Sequence, residues 1–218
     1  MPMDGKLRRR LEKALAEVDE HGTPGPRLLD DARRMWSRAQ KLIAMNVIPT
    51  EPDADAMELA CYALQLPQKQ TKLAAGKLGR SSLKLRAEAA AELLVSMLED
   101  DADEALTALL DRATRLLQEL PQRQPMLEEA RVLADAVNLD DFGVGGLVQL
   151  MVPLTLTGGG LAQLIEALEK RDQYGYWDAR LKESFHFKQS RRIARMRLEL
   201  ARKTAAALSA ELAEDAPP

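Results

Sequence analysis

The pattern that most limits what this chain can become is a succession of helix-forming stretches cut by short breaker clusters. His21-Gly22-Thr23-Pro24-Gly25-Pro26, Ile48-Pro49-Thr50-Glu51-Pro52, Pro67, the Pro121 to Pro125 turn and Gly158-Gly159-Gly160 interrupt text dominated by Ala, Leu, Glu, Arg, Lys and Gln. Proline removes an amide donor and glycine loosens the backbone, so helices end at such clusters. Aromatics are 4% of 218 residues and β-branched residues are few, which leaves little of the composition that strands need. The expectation is an all-α chain folded as a single compact multi-helix bundle.

Within that frame the first helix is expected over about 4–21, a second from Leu28 to Asn46, and a third from Ala56 to about Leu66. The second carries Leu28, Ala32, Met35, Ala39, Leu42 and Ile43 on one face, whereas the third is apolar nearly all round, the mark of a central helix. Asp53 or Asp55 is placed to cap it, since a short carboxylate can accept the unpaired amides of a first turn. Apolar residues then repeat at helical spacing from Leu83 to Leu98 and from Asp103 to Leu120, as in an antiparallel pair. A further helix carries Met126, Leu127, Ala130, Val132, Leu133 and Ala136. The run Met151 to Leu156 before the three glycines reads as a helix end with a mobile hinge, and Ala213 to Pro218 as a frayed tail.

Several chemistries are excluded before any fold is considered. Cys61 is the single cysteine and sits among apolar residues, so neither a disulfide nor a cysteine-rich metal site is available. The only histidines are His21 and His186, too few for a zinc site of Cys/His type or for the usual nucleophile, histidine and carboxylate triad. No cofactor is implied. Thirty-one basic against 34 acidic residues give a net charge of −3, which speaks against general nucleic-acid binding. No apolar run suits a signal peptide or membrane span, so the expected location is cytoplasmic, with no membrane partner.

Local charge is less even than the total. From Gln68 to Arg86 there are six cations and no acidic residue, and Gly76-Lys77-Leu78-Gly79-Arg80-Ser81-Ser82 leads into a helix. Amides at a helix start, with Lys77, Arg80, Lys84, Ser81 and Ser82, form a candidate anion site. The alternative is a solvated basic loop facing the acidic Glu99 to Glu104 elbow. Five of the eight aromatics, Tyr174, Tyr176, Trp177, Phe185 and Phe187, precede a helix rich in arginine. Such aromatics can stack on a nucleotide, but they equally suit a helix pinned to the core through Ile193, Met196, Leu200 and Leu208, with its arginines in solvent.

The string Asp135-Ala136-Val137-Asn138-Leu139-Asp140-Asp141-Phe142-Gly143-Val144-Gly145-Gly146-Leu147 resembles the glycine-containing segment that carries the last metal ligand in HD-domain metal-dependent phosphohydrolases. Arg34-Met35-Trp36-Ser37-Arg38-Ala39 is similar to the text after that family's first ligand histidine. Ala60-Cys61-Tyr62-Ala63-Leu64-Gln65-Leu66 is similar to its His-Asp helix, Ala87 to Leu94 to the helix that follows, and Ile193-Ala194-Arg195-Met196-Arg197 to its closing helix. The likeness spans 28–205, leaving 1–22 as an N-terminal helix and 206–218 as a helix end and tail.

HD enzymes hold a divalent ion through His, His-Asp and Asp ligands that leave a position open for activated water. The resemblance puts Asp31, Gln65, Leu66 and Val137 at those four places, and no histidine lies between residues 22 and 185. The expectation is therefore a catalytically inactive HD-like helical protein with a regulatory, ligand-binding or protein-interaction role. Its partner would be a small phosphorylated ligand or another protein, and homodimerisation suits such bundles. Two alternatives stay open: a nucleotide or anion sensor using the Gly76 to Ser82 loop, and an atypical phosphohydrolase with a metal on Asp31, Asp135, Asp140 and Asp141, although the last two better suit capping or bracing the Gly143 junction.

Overall fold

The computed structural model describes residues 5–16, 26–67, 83–98 and 103–214. These contain ten α-helices and no strand: α1 (Gly5–Ala16), α2 (Pro26–Ala44), α3 (Ala54–Ala63), α4 (Leu83–Leu98), α5 (Glu104–Glu119), α6 (Glu128–Asn138), α7 (Val144–Leu156), α8 (Leu161–Gln173), α9 (Tyr176–Glu183) and α10 (Lys188–Glu214). A 3₁₀ turn, Leu139–Asp141, follows α6. No described helix is long and apolar enough to cross a membrane. The contacts divide the chain into two compact units, with the boundary inside α6 between Ala136 and Val137.

In the first unit α3 is the centre, packing against α1, α2, α4 and α5. Every residue from Ala56 to Ala63 is buried, the outcome expected of a helix apolar on all faces. Asp53 is the cap, its carboxylate accepting the Ala56 amide at 3.0 Å. Asp103 does the same for α5 through the Leu106 amide at 2.8 Å. The α4 and α5 helices pack on each other, as their paired spacing suggests. Met126, which the sequence places on the apolar face of the next helix, lies ahead of α6 and is 77% exposed. The Pro125 turn delays the helix by two residues, so its first position is Glu128.

The second unit is built on α10, which packs against α7, α8, α9 and the 3₁₀ turn. Its core joins Leu139, Phe142, Leu147, Leu164, Leu168, Trp177, Leu181, Phe185, Ala194, Leu198 and Ala201. Phe142 meets the Trp177 ring edge-on at 5.2 Å and the Phe185 ring at 5.4 Å. Trp177 and Phe185 of the aromatic segment are thus core pins, and Arg171 lies over Tyr176 and Trp177 at 5.1 and 5.6 Å, within cation–π range.

In this unit the helix end at Gly158 gains detail and the inner face of α10 is corrected. Gly158 has φ +83°, its amide donates to the Thr155 carbonyl at 3.1 Å, and the Gly159 amide donates to the Leu154 carbonyl at 2.7 Å. This is a Schellman cap, which satisfies the last carbonyls of α7 and gives the expected helix end a hydrogen-bonded stop. The buried face of α10 is Ser190, Ala194, Leu198 and Ala201, whereas Met196 and Leu200 are each 54% exposed. Ile193 and Leu208 are half-buried. The small side chains let the helix approach its neighbours closely, and that turns Met196 and Leu200 outward. Helix α10 also continues to Glu214, so the tail begins later than the sequence suggests.

Candidate functional site

The anion loop falls outside the described residues at Lys77, Arg80, Ser81 and Ser82; only Lys84 of that set is described. Lys84 is exposed at the start of α4, with its amine 3.9 Å from Glu88 one turn on, the geometry of a solvated helix pair.

The places aligned with HD ligands can all be read. Gln65 and Leu66, just past α3, are 4% and 5% exposed. Asp31, on α2, is half-buried and accepts from Arg34 at 2.5 Å. Val137 is half-buried and belongs to the second unit. An amide, an isobutyl group and an isopropyl group at three of four positions provide neither the anionic donors nor the open coordination place that a hydrolytic ion requires.

Two carboxylates of the all-carboxylate alternative hold other partners. Asp140 accepts from Gln149 Nε2 at 2.7 Å, and Asp141 pairs with Arg180 at 2.6 Å. Both oxygens therefore brace the junction around Gly143. Arg180 also donates to Asn138 Oδ1, and Asn138 donates to the Ser184 carbonyl at 2.6 Å. Asp135 is fully buried on α6. Among the described residues no three His, Cys, Asp or Glu side chains group so as to hold a metal ion.

One polar cluster carries no sequence signal, because its members come from three helices. Arg8 on α1 donates to the buried Glu58 of α3 at 2.6 Å, while Glu12 accepts from Arg33 of α2 at 2.9 Å and from the Tyr62 hydroxyl of α3 at 3.2 Å. Each carboxylate meets a guanidinium, so the cluster fastens α1 and α2 to the central helix. Burial, reinforced by the Glu12 charge, raises the Tyr62 phenol above its ordinary value of 10.0. A raised phenol contributes stability that is complete below the unfolded value and lost as pH rises through the folded one. Tyr62→Phe is therefore expected to cost about 1 kcal/mol near neutrality and to flatten the alkaline fall in stability. Urea midpoints of both proteins between about pH 8 and pH 11 test this; parallel falls would remove Tyr62 as the cause. Burial also pushes the Cys61 thiol well above its usual range, which makes it a packing group with no reactive thiolate.

The described cavity belongs to the second unit: a groove of about 470 Å³ with Leu147, Leu168, Trp177 and Leu198 along its floor and Glu169, Asp172 and Arg202 on its rim. Arg202 and Asp172 are paired there. The groove has the apolar floor and polar margin of a binding surface, and among the described residues no hydroxyl lining it is hydrogen-bonded to a base. Comparison of the chain with protein-family models, with curated proteins and with solved structures yields no match.

Proposed function

We propose that this protein is a non-hydrolytic, HD-like helical protein that acts by binding a ligand or a protein partner. The observation that carries this reading is the closure of Gln65 and Leu66 into the apolar interior, where the HD resemblance calls for ligands around an accessible ion. Leu66 has no lone pair to offer, and its burial leaves no place for activated water. The absence of histidine from 22 to 185 makes this independent of the alignment register. The proposed setting is cytoplasmic, in keeping with one unpaired, buried cysteine.

Elemental analysis of protein purified without chelator, together with hydrolysis of an activated phosphodiester in Mg²⁺ or Mn²⁺, tests the reading. The expected result is metal far below one equivalent per chain and no turnover above buffer. About one equivalent of bound metal with metal-dependent turnover would overturn it. A thermal shift with nucleotides that Lys77→Ala and Arg80→Ala abolish would instead make the protein a phosphate sensor.

A further inference from the structure

The seven cations between Lys188 and Lys203 on α10 do not share one role. Arg191 donates to the Phe185 carbonyl, Arg197 donates to the Leu139 carbonyl at 3.0 Å, and Arg202 pairs with Asp172. Those three fasten the helix to its own unit. Lys188, Arg192, Arg195 and Lys203 are exposed, and among the described residues their side chains make no hydrogen bond or ion pair.

At 3.6 residues per turn these four, together with Glu199, Met196 and Leu200, fall in an arc of about 140° opposite the buried Ser190, Ala194 and Ala201. The face is thus a strip of roughly 22 Å with four unpaired cations, one anion, and two large apolar side chains one turn apart, each 54% exposed. A strip of this kind is half of a helix seam, in which an apolar pair is flanked by charges that select the partner.

We propose that this outer face of α10 docks an acidic amphipathic helix of another protein. Apolar residues of that helix cover Met196 and Leu200, and its carboxylates meet Arg192, Arg195 and Lys203. Charge complementarity chooses this occupant: the strip is locally positive on a chain of net charge −3. Glu199, in the middle of the strip, opposes a continuous polyanion such as a phosphate backbone, and it pairs with a single cation on an otherwise acidic helix. Two apolar side chains are too narrow an apolar face for a helix lying in a bilayer surface, and the strip has no aromatic on which a base could stack. One helix against one face gives a small interface, so the complex is transient and micromolar. The inference does not depend on the fate of the HD positions.

The test uses the full chain and a fluorescent synthetic helix with Leu at its a and d positions and Glu at e and g. Its isomer with Lys at e and g, phosphatidylserine vesicles and a DNA duplex are run in parallel. The expected result is micromolar binding of the acidic peptide alone, weakened by salt. Arg192→Glu with Arg195→Glu should reduce it by about tenfold or more, and Met196→Gln with Leu200→Gln by about fivefold. All four positions are exposed, and far-UV circular dichroism confirms that the variants remain folded. No binding of the acidic peptide would overturn the proposal. So would indifference to the Met196 and Leu200 changes, which would leave only charge attraction, or preference for the vesicles, the duplex or the basic peptide.

Discussion

Gly146→Ala is expected to destabilise the second unit by about 2–4 kcal/mol, while Gly145→Ala, one residue earlier in the same helix, is neutral or stabilises by up to about 1 kcal/mol. A Cβ at Gly146 would stand 2.3 Å from the Asp141 carbonyl oxygen and 2.7 Å from its carbon, whereas a Cβ at Gly145 meets nothing within 4 Å. The obstructing atoms at Gly146 are backbone, so no rotamer change relieves the clash. The 3₁₀ turn would have to move, and with it the Asp141–Arg180 pair and the Asp140–Gln149 bond. The chain has two tryptophans, so a Trp36→Phe background leaves Trp177 emission as a local probe of this unit during urea unfolding. Equal midpoints for the two alanine variants would show that the turn yields easily and that the close approach is not a constraint.

The second large effect concerns the aromatic pins. Trp177→Ala is expected to cost about 3–5 kcal/mol, because it empties a buried site where the indole meets Phe142 at 5.2 Å and Tyr176 at 5.0 Å, with Arg171 above. Tyr174→Ala, three residues away in the same aromatic stretch, should stay within about 0.5 kcal/mol, since Tyr174 is 83% exposed. Circular dichroism during thermal and urea unfolding reads both variants. Similar losses at the two positions would refute the division of this stretch into core pins and surface residues. A loss below about 1 kcal/mol at Trp177 would mean that its neighbours collapse into the space it leaves.

Together these substitutions separate two kinds of constraint that look alike in the sequence. Glycine at 145 and at 146 reads the same in the primary structure, as do tyrosine at 174 and tryptophan at 177. Their difference arises from what stands opposite each position after the helices pack. The polar contacts behave in the same way. Arg180 and Asp141 are 39 residues apart, and nothing in either local stretch marks them as partners.

The sequence by itself determined the helical class, because helix propensity and breaker residues act within a few neighbours along the chain. It narrowed the cap of α3 to Asp53 or Asp55 and put an acidic cap ahead of α5, since a cap depends on one side chain and an amide three residues on; the structure has Asp53 and Asp103. It also determined the main chemical exclusion, since histidines that are absent cannot be supplied by folding. Only the tertiary structure decided which side of α10 is inside. That helix carries apolar residues on two faces, and periodicity accepts either; close approach selected Ser190, Ala194 and Ala201, with Leu198, for the interior and left Met196 and Leu200 in solvent. It likewise decided the partners, Gln149 and Arg180, through which Asp140 and Asp141 brace the Gly143 junction. Pairing between distant side chains follows from helix packing, which local sequence does not encode.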